Sequence, residues 1–87
     1  MISRGQARAI AESAALVRGL ARSIRALCLE EELITRPPSI YNGPEIARCW
    51  IAYVESANPL AIQSSTIILI DRKDGVVHYV GSANDEG

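Results

Sequence analysis

Phenylalanine is absent, and the aromatic set stops at Tyr41, Trp50, Tyr53 and Tyr79. A core must therefore be assembled from Ile, Leu, Val and Ala. Only two cysteines occur, Cys28 and Cys49, in no CxxC spacing. That excludes a disulfide-dense secreted scaffold. Both sit among apolar neighbours and read as buried free thiols. His78 is the single histidine. With two separated cysteines it forms no zinc-binding motif, and no metal or cofactor is implied. No glycine-rich run precedes a helix pattern, so no phosphate loop is present. No apolar run approaches the ~18 residues of a membrane span. Arg4, Arg8, Arg18, Arg22 and Arg25 break every early apolar run before the ~7–15 residues of a signal-peptide core. The expected location is cytoplasmic, with no membrane partner.

Charge of one sign is also missing. Nine Lys+Arg against ten Asp+Glu leave a formal net charge of −1 over 87 residues. This excludes bulk polyelectrolyte behaviour, and no nucleic-acid partner is expected. With 48% apolar residues the chain is a globular composition of one domain. At this length only roughly 60% of the unfolded surface is buried, so stability is marginal without help.

Residues 3 to about 32 read as one long helix. Ser3 with Gln6 three residues on is a capping box, and Ile2 with Ala7 stands where a hydrophobic staple would. Apolar residues recur at Ala7, Ile10, Ala14, Val17, Ala21, Ile24 and Cys28, spaced three or four apart. Ile10, Val17 and Ile24 are expected to face a sheet. Gly5 and Gly19 are the only weak points before Pro37-Pro38 ends the pattern. The five arginines fall within one arc of about 100° on such a helix. They read as a solvated face, with a basic stripe for an acidic partner or RNA as the functional alternative. Glu30, Glu31 and Glu32 oppose the macrodipole if the helix reaches them. They fit only if it ends earlier or they begin a strand.

Beyond residue 32 the pattern is strand-like. Leu33-Ile34 and Ile40-Tyr41 are ambiguous, and Asn42-Gly43-Pro44 and Asn58-Pro59 mark turns. Residues 47–55, 65–71 and 76–81 read as strands. Arg72-Lys73-Asp74-Gly75 closes the last two into a hairpin, with Gly75 at positive φ. Residues 82–87 read as a polar tail. The expected fold is α+β, the helix packed on a three- to four-stranded antiparallel sheet spanning 33–81.

No catalytic constellation is legible. His78 inside a strand reads as a packed or surface residue rather than a general base. Ser64-Ser65-Thr66 lack an adjacent base. Asp71 and Asp74 flank the turn and read as turn-stabilising, with cation binding the rarer alternative. The chain is not expected to be an enzyme. Trp50, Tyr53 and Tyr79 are the candidate recognition residues, since Trp and Tyr are enriched at interfaces. In a chain without Phe they serve equally as core.

The block Ile67–Ile70, Asp71, Gly75, Val76-Val77 and Gly81, preceded by the Trp50 strand and an N-terminal helix, resembles the YrhB-like family of small bacterial immunity-type proteins. More loosely it is similar to PepSY-like modules. The resemblance covers about residues 47–82 plus the helix. It implies a cystatin-like fold, a helix across an antiparallel sheet, and no catalytic residue.

Two functions follow as expectations: a non-catalytic protein-binding module, as an immunity or inhibitory factor, or a self-associating structural protein. A small ligand-binding protein or enzyme with a site between protomers comes third. Ile67-Ile68-Leu69-Ile70 does not alternate, so both faces of that strand are apolar. A homo-oligomer, or a hetero-protein partner, is expected to cover the second face.

Overall fold

The computed structural model describes residues 1–19, 24–32, 45–55 and 66–83. Readings at 20–23, 33–44, 56–65 and 84–87 lie outside the described residues. These include Ala21, Arg22, Pro37-Pro38, the turns at Asn42-Gly43-Pro44 and Asn58-Pro59, Ser64-Ser65 and the end of the polar tail.

Helix α1 (Arg4–Val17) is followed by strands β1 (Ile24–Leu29), β2 (Cys49–Val54), β3 (Thr66–Asp71) and β4 (Val77–Ser82). All neighbours pair antiparallel in the order β1-β2-β3-β4, and α1 lies across one face. The α+β class is as expected. The helix boundaries are not.

The capping box forms as read. Ser3 Oγ accepts from the Gln6 amide at 3.1 Å, and Gln6 Oε1 accepts from the Ser3 amide at 2.8 Å. Five alanines, the strongest helix former, carry the helix onward. It stops at Val17, fourteen residues long. Gly19 takes φ 72° just past the Arg18 cap, and its amide donates to the Leu16 carbonyl at 3.1 Å. Gly19 is therefore a helix terminator of the usual glycine kind, not an interruption. The helix read over 3–32 is corrected accordingly, and the sheet starts at Ile24, not 33. This also accounts for the glutamates. Glu30–Glu32 form a 3-10 turn after β1 and do not lie at the C-terminal end of α1, which is Val17.

The helix face that meets the sheet is small: Ala7, Ala11, Ala14 and Ala15 are buried. Methyl-sized side chains let the backbone lie close over β1, β2 and β3. They pack with Ile24, Leu27, Trp50, Ala52, Val54, Ile68 and Ile70. The expected contact face is thus corrected. Val17 is 78% exposed and Ile24 packs there from a strand, while Ile10 packs half-buried against this core as expected.

The second sheet face is corrected too. Ile51, Ile67, Leu69 and Cys49 are fully buried within the single chain, with Cys28, Ile46 and Tyr79 packed against them. The non-alternating run Ile67–Ile70 has two cores to fill. That removes the argument for an oligomer drawn from an open face.

The arginines do not form one helical stripe. Arg4 and Arg8 stand on α1, Arg18 caps it, and Arg25 lies in β1. The polar-tail boundary also moves: Ser82 ends β4, and Ala83 is buried in the second core.

Candidate functional site

The β3–β4 hairpin forms as the sequence indicates. Gly75 sits at φ 80°, and its amide donates to the Asp71 carbonyl at 3.0 Å. The Asp71 amide donates to Val76 O at 2.8 Å, closing the strands. Asp71 Oδ1 accepts from the Lys73 amide at 2.8 Å, and Asp74 Oδ1 accepts from the Val76 amide at 3.0 Å. Both aspartates therefore stabilise the turn, as read. Helix α1 docks here through the Ile2 amide, 2.9 Å from Arg72 O.

The register of β4 changes within the strand. Leu69 faces Tyr79 while Ile70 faces Val77, so His78 is an extra residue, a β-bulge. A bulge turns two successive side chains to one side. Val77 and Val80 consequently pack toward α1, and Tyr79 packs on the other face. His78 is aimed back at Asp71, with Nε2 2.9 Å from Oδ2. Glu45, Arg48 and Cys49 complete the lining of a cavity of about 180 Å³ around this pair.

The electrostatics follow from that geometry. The His78 bond, and after it the Lys73 amide, hold the Asp71 carboxyl below its ordinary range. Burial, reinforced by the Asp71 charge, pushes the Cys49 thiol up. The cavity therefore joins an oriented imidazole to a thiol kept in its protonated form, which is a poor nucleophile. Among the described residues no cluster of three or more His, Cys, Asp or Glu side chains is placed to hold a metal ion. The pairing of His78 with Asp71 escaped sequence reading, because the two are seven residues apart and only the bulge brings them together.

The three candidate recognition residues do not share a surface. Trp50 is buried under α1, with the Arg4 guanidinium 5.0 Å from its ring centroid. Its Nε1 is the one buried side-chain polar atom without a hydrogen-bond partner among the described residues. Tyr53 is buried in the opposite core, with Arg25 5.5 Å from its ring. Tyr79 lies on that same face, and its hydroxyl donates to Ser82 O at 2.7 Å.

The two sheet edges differ. At β1, Arg4 Nη1 donates to Leu27 O at 2.6 Å and Arg8 Nη2 donates to Ile24 O at 3.1 Å. Glu32 supports this end: it accepts from the Leu29 amide at 2.7 Å and from Arg4 at 2.9 Å. These bonds, and the Arg4 pair, hold its carboxyl below the ordinary range. Arginine side chains thus occupy carbonyls that an incoming strand would need. At β4 the neighbouring strand among the described residues is β3, and Ser82 at its end makes a further contact. Between α1 and the first residue of β4 lies a groove of about 420 Å³ lined by Ile10, Ser13, Ala14, Val17, Arg18 and Val77.

No family model, curated protein sequence or solved structure matches this chain. The functional reading therefore rests on the geometry of the site.

Proposed function

We propose that this protein is a non-catalytic protein-binding module that engages an extended segment of its partner along β4. The observation that carries this is the contrast between the edges. An unpaired edge strand is a template for another chain, and natural sheets blunt edges they do not use. Here β1 is blunted by Arg4 and Arg8, whereas Val77–Ser82 carries no Lys or Pro, and Val77 at its start borders a groove along α1. Main-chain hydrogen bonds would supply affinity and the groove would select side chains, the division of labour of strand addition. An immunity or inhibitory role is one use of such an edge.

The test is display selection with random dodecapeptides against the purified protein. Enriched peptides should be rich in β-branched residues and bind at micromolar affinity. They should slow amide exchange in residues 77–82 and leave 24–29 unchanged. Binders that protect β1 instead, or no enrichment at all, would refute the assignment.

A further inference from the structure

Glu45 caps the 3-10 turn Ile46–Arg48, three residues before Arg48. Positions three apart eclipse on such a turn, so these opposite charges are placed to pair. They do not pair. Glu45 makes no side-chain cap bond, and among the described residues neither side chain enters an ion pair. Both instead line the cavity of about 180 Å³ that they share with the buried Cys49 and Asp71 and with His78. Asp71 is engaged at both oxygens, by the Lys73 amide and by His78 Nε2. An ionised carboxylate only accepts, so Nε2 is the donating nitrogen, and the neutral ring keeps Nδ1 as an acceptor. The uncommitted groups at the cavity are therefore one guanidinium, one carboxylate and one neutral acceptor. We infer that the cavity binds a small zwitterion, a free α-amino acid, with its carboxylate on Arg48 and its ammonium on Glu45.

The charge pattern discriminates among ligands. A simple anion would find Arg48 but also face Glu45 and the Asp71 carboxylate. A simple cation would face Arg48. A zwitterion presents each sign to its opposite. The arginine fork matches a carboxylate through two parallel N–H···O bonds. An ammonium has three donors, enough for the Glu45 carboxylate and His78 Nδ1 together. Burial and the Asp71 charge keep the Cys49 thiol protonated, so it adds no charge of its own. Volume sets the size. About 180 Å³ lies below the ~300–1,000 Å³ of pockets for drug-sized ligands, which selects an amino acid with a small side chain. The site uses no main-chain group on the outer edge of β4. It therefore stands or falls apart from strand addition.

The test is a titration of isotope-labelled protein with glycine, alanine and serine, followed by amide NMR shifts. At least one should saturate with a Kd between about 10 μM and about 5 mM, its shifts concentrated at Glu45, Arg48, Cys49, Asp71 and His78. Acetylating the amine or amidating the carboxylate of the best ligand removes one charge, and each should weaken binding at least about tenfold. Glycylglycine holds its charged ends a peptide unit apart and should bind no better than these capped forms. Arg48→Gln and Glu45→Gln alter exposed side chains. Each should leave circular dichroism unchanged and weaken binding at least about tenfold. No saturation by any of the three up to about 20 mM overturns the site. Capped forms that bind as tightly as the free amino acid, or inorganic phosphate that binds more tightly, overturn the zwitterion as its ligand. Full-strength binding by either variant overturns the placement in this cavity.

Discussion

Replacing Gly75 by alanine measures how α1 is docked on the hairpin. Gly75 holds φ 80°, and a methyl group added there would lie 2.9 Å from Ile10 Cδ1 and 3.6 Å from Ile2 Cγ2. Gly19 offers a matched control: its φ is 72°, and nothing lies within 4 Å of an added methyl. Left-handed backbone costs a residue with a Cβ about 1–2 kcal/mol. The lower entropy of the unfolded chain returns about 0.4–1 kcal/mol. Gly19→Ala should therefore destabilise by about 0.5–1 kcal/mol. Gly75→Ala carries the same strain and must also displace the end of Ile10. Forcing a side chain off its rotamer costs about 0.5–1.5 kcal/mol. The expected total is about 1–2.5 kcal/mol. Trp50 is the only tryptophan and is buried, so its fluorescence reports urea unfolding. At a slope of about 1 kcal/mol per molar, the Gly75→Ala midpoint should fall about 1 M further than that of Gly19→Ala. Ile10→Val removes the clashing Cδ1, and in that background the gap between the two variants should close. Equal costs for the two glycines in the wild-type background would refute the packing of α1 against the turn.

Core truncations should follow the observed faces: Ile68→Ala should cost about 2–5 kcal/mol, and Val17→Ala under about 0.5 kcal/mol, both read by urea denaturation. The acid limb of stability should depend on Asp71. Its carboxyl is lowered by His78 and the Lys73 amide, so that stabilisation is fully present above the unfolded value near ~4 and is lost as pH falls through the lower folded value. Asp71→Asn should flatten the urea midpoint between about pH 4 and pH 2 relative to wild type, and an unchanged profile would count against the pair. Both thiols are raised, chiefly by burial, with Cys28 half-buried and Cys49 buried. An aromatic disulfide reagent at neutral pH should label Cys28 slowly and Cys49 only at the rate of unfolding.

The parts of the fold legible in the sequence are those with local chemical markers. Ser3 and Gln6 fix the helix start through two reciprocal hydrogen bonds, and Gly75 fixes the hairpin through its φ. The helix end was misread because Gly19 has two meanings, a weak interior residue or a C-terminal cap. The apolar spacing downstream favoured the first meaning. Two members of that spacing, Ile24 and Cys28, in fact lie in β1 and pack in opposite cores. In β1 the register shifts between Ile24 and Ala26, so Ile24 and Leu27, three apart, both reach the core under α1. A bulged strand thus counterfeits the period of a helix. The run Ile67–Ile70 was read correctly as two-faced. The premise of an open second face does not hold, because Ile51, Ile67 and Leu69 are buried within the chain.

The same irregularity governs what was legible of the candidate site. In β4 the bulge at His78 separates Val77 from Val80 by three residues on one face. Strict alternation would have sent His78 away from Asp71, and the pair would not form. Trp50, Tyr53 and Tyr79 were chosen by residue type, which says nothing of side, and the pleat distributes them over two cores. Edge protection has no sequence signature of its own either. Arg4 and Arg8 lie on a helix, 23 and 16 residues from the strand carbonyls they occupy. They read as solvated charge until the fold sets α1 across β1. Their reach, rather than any aromatic cluster, is what covers the β1 edge.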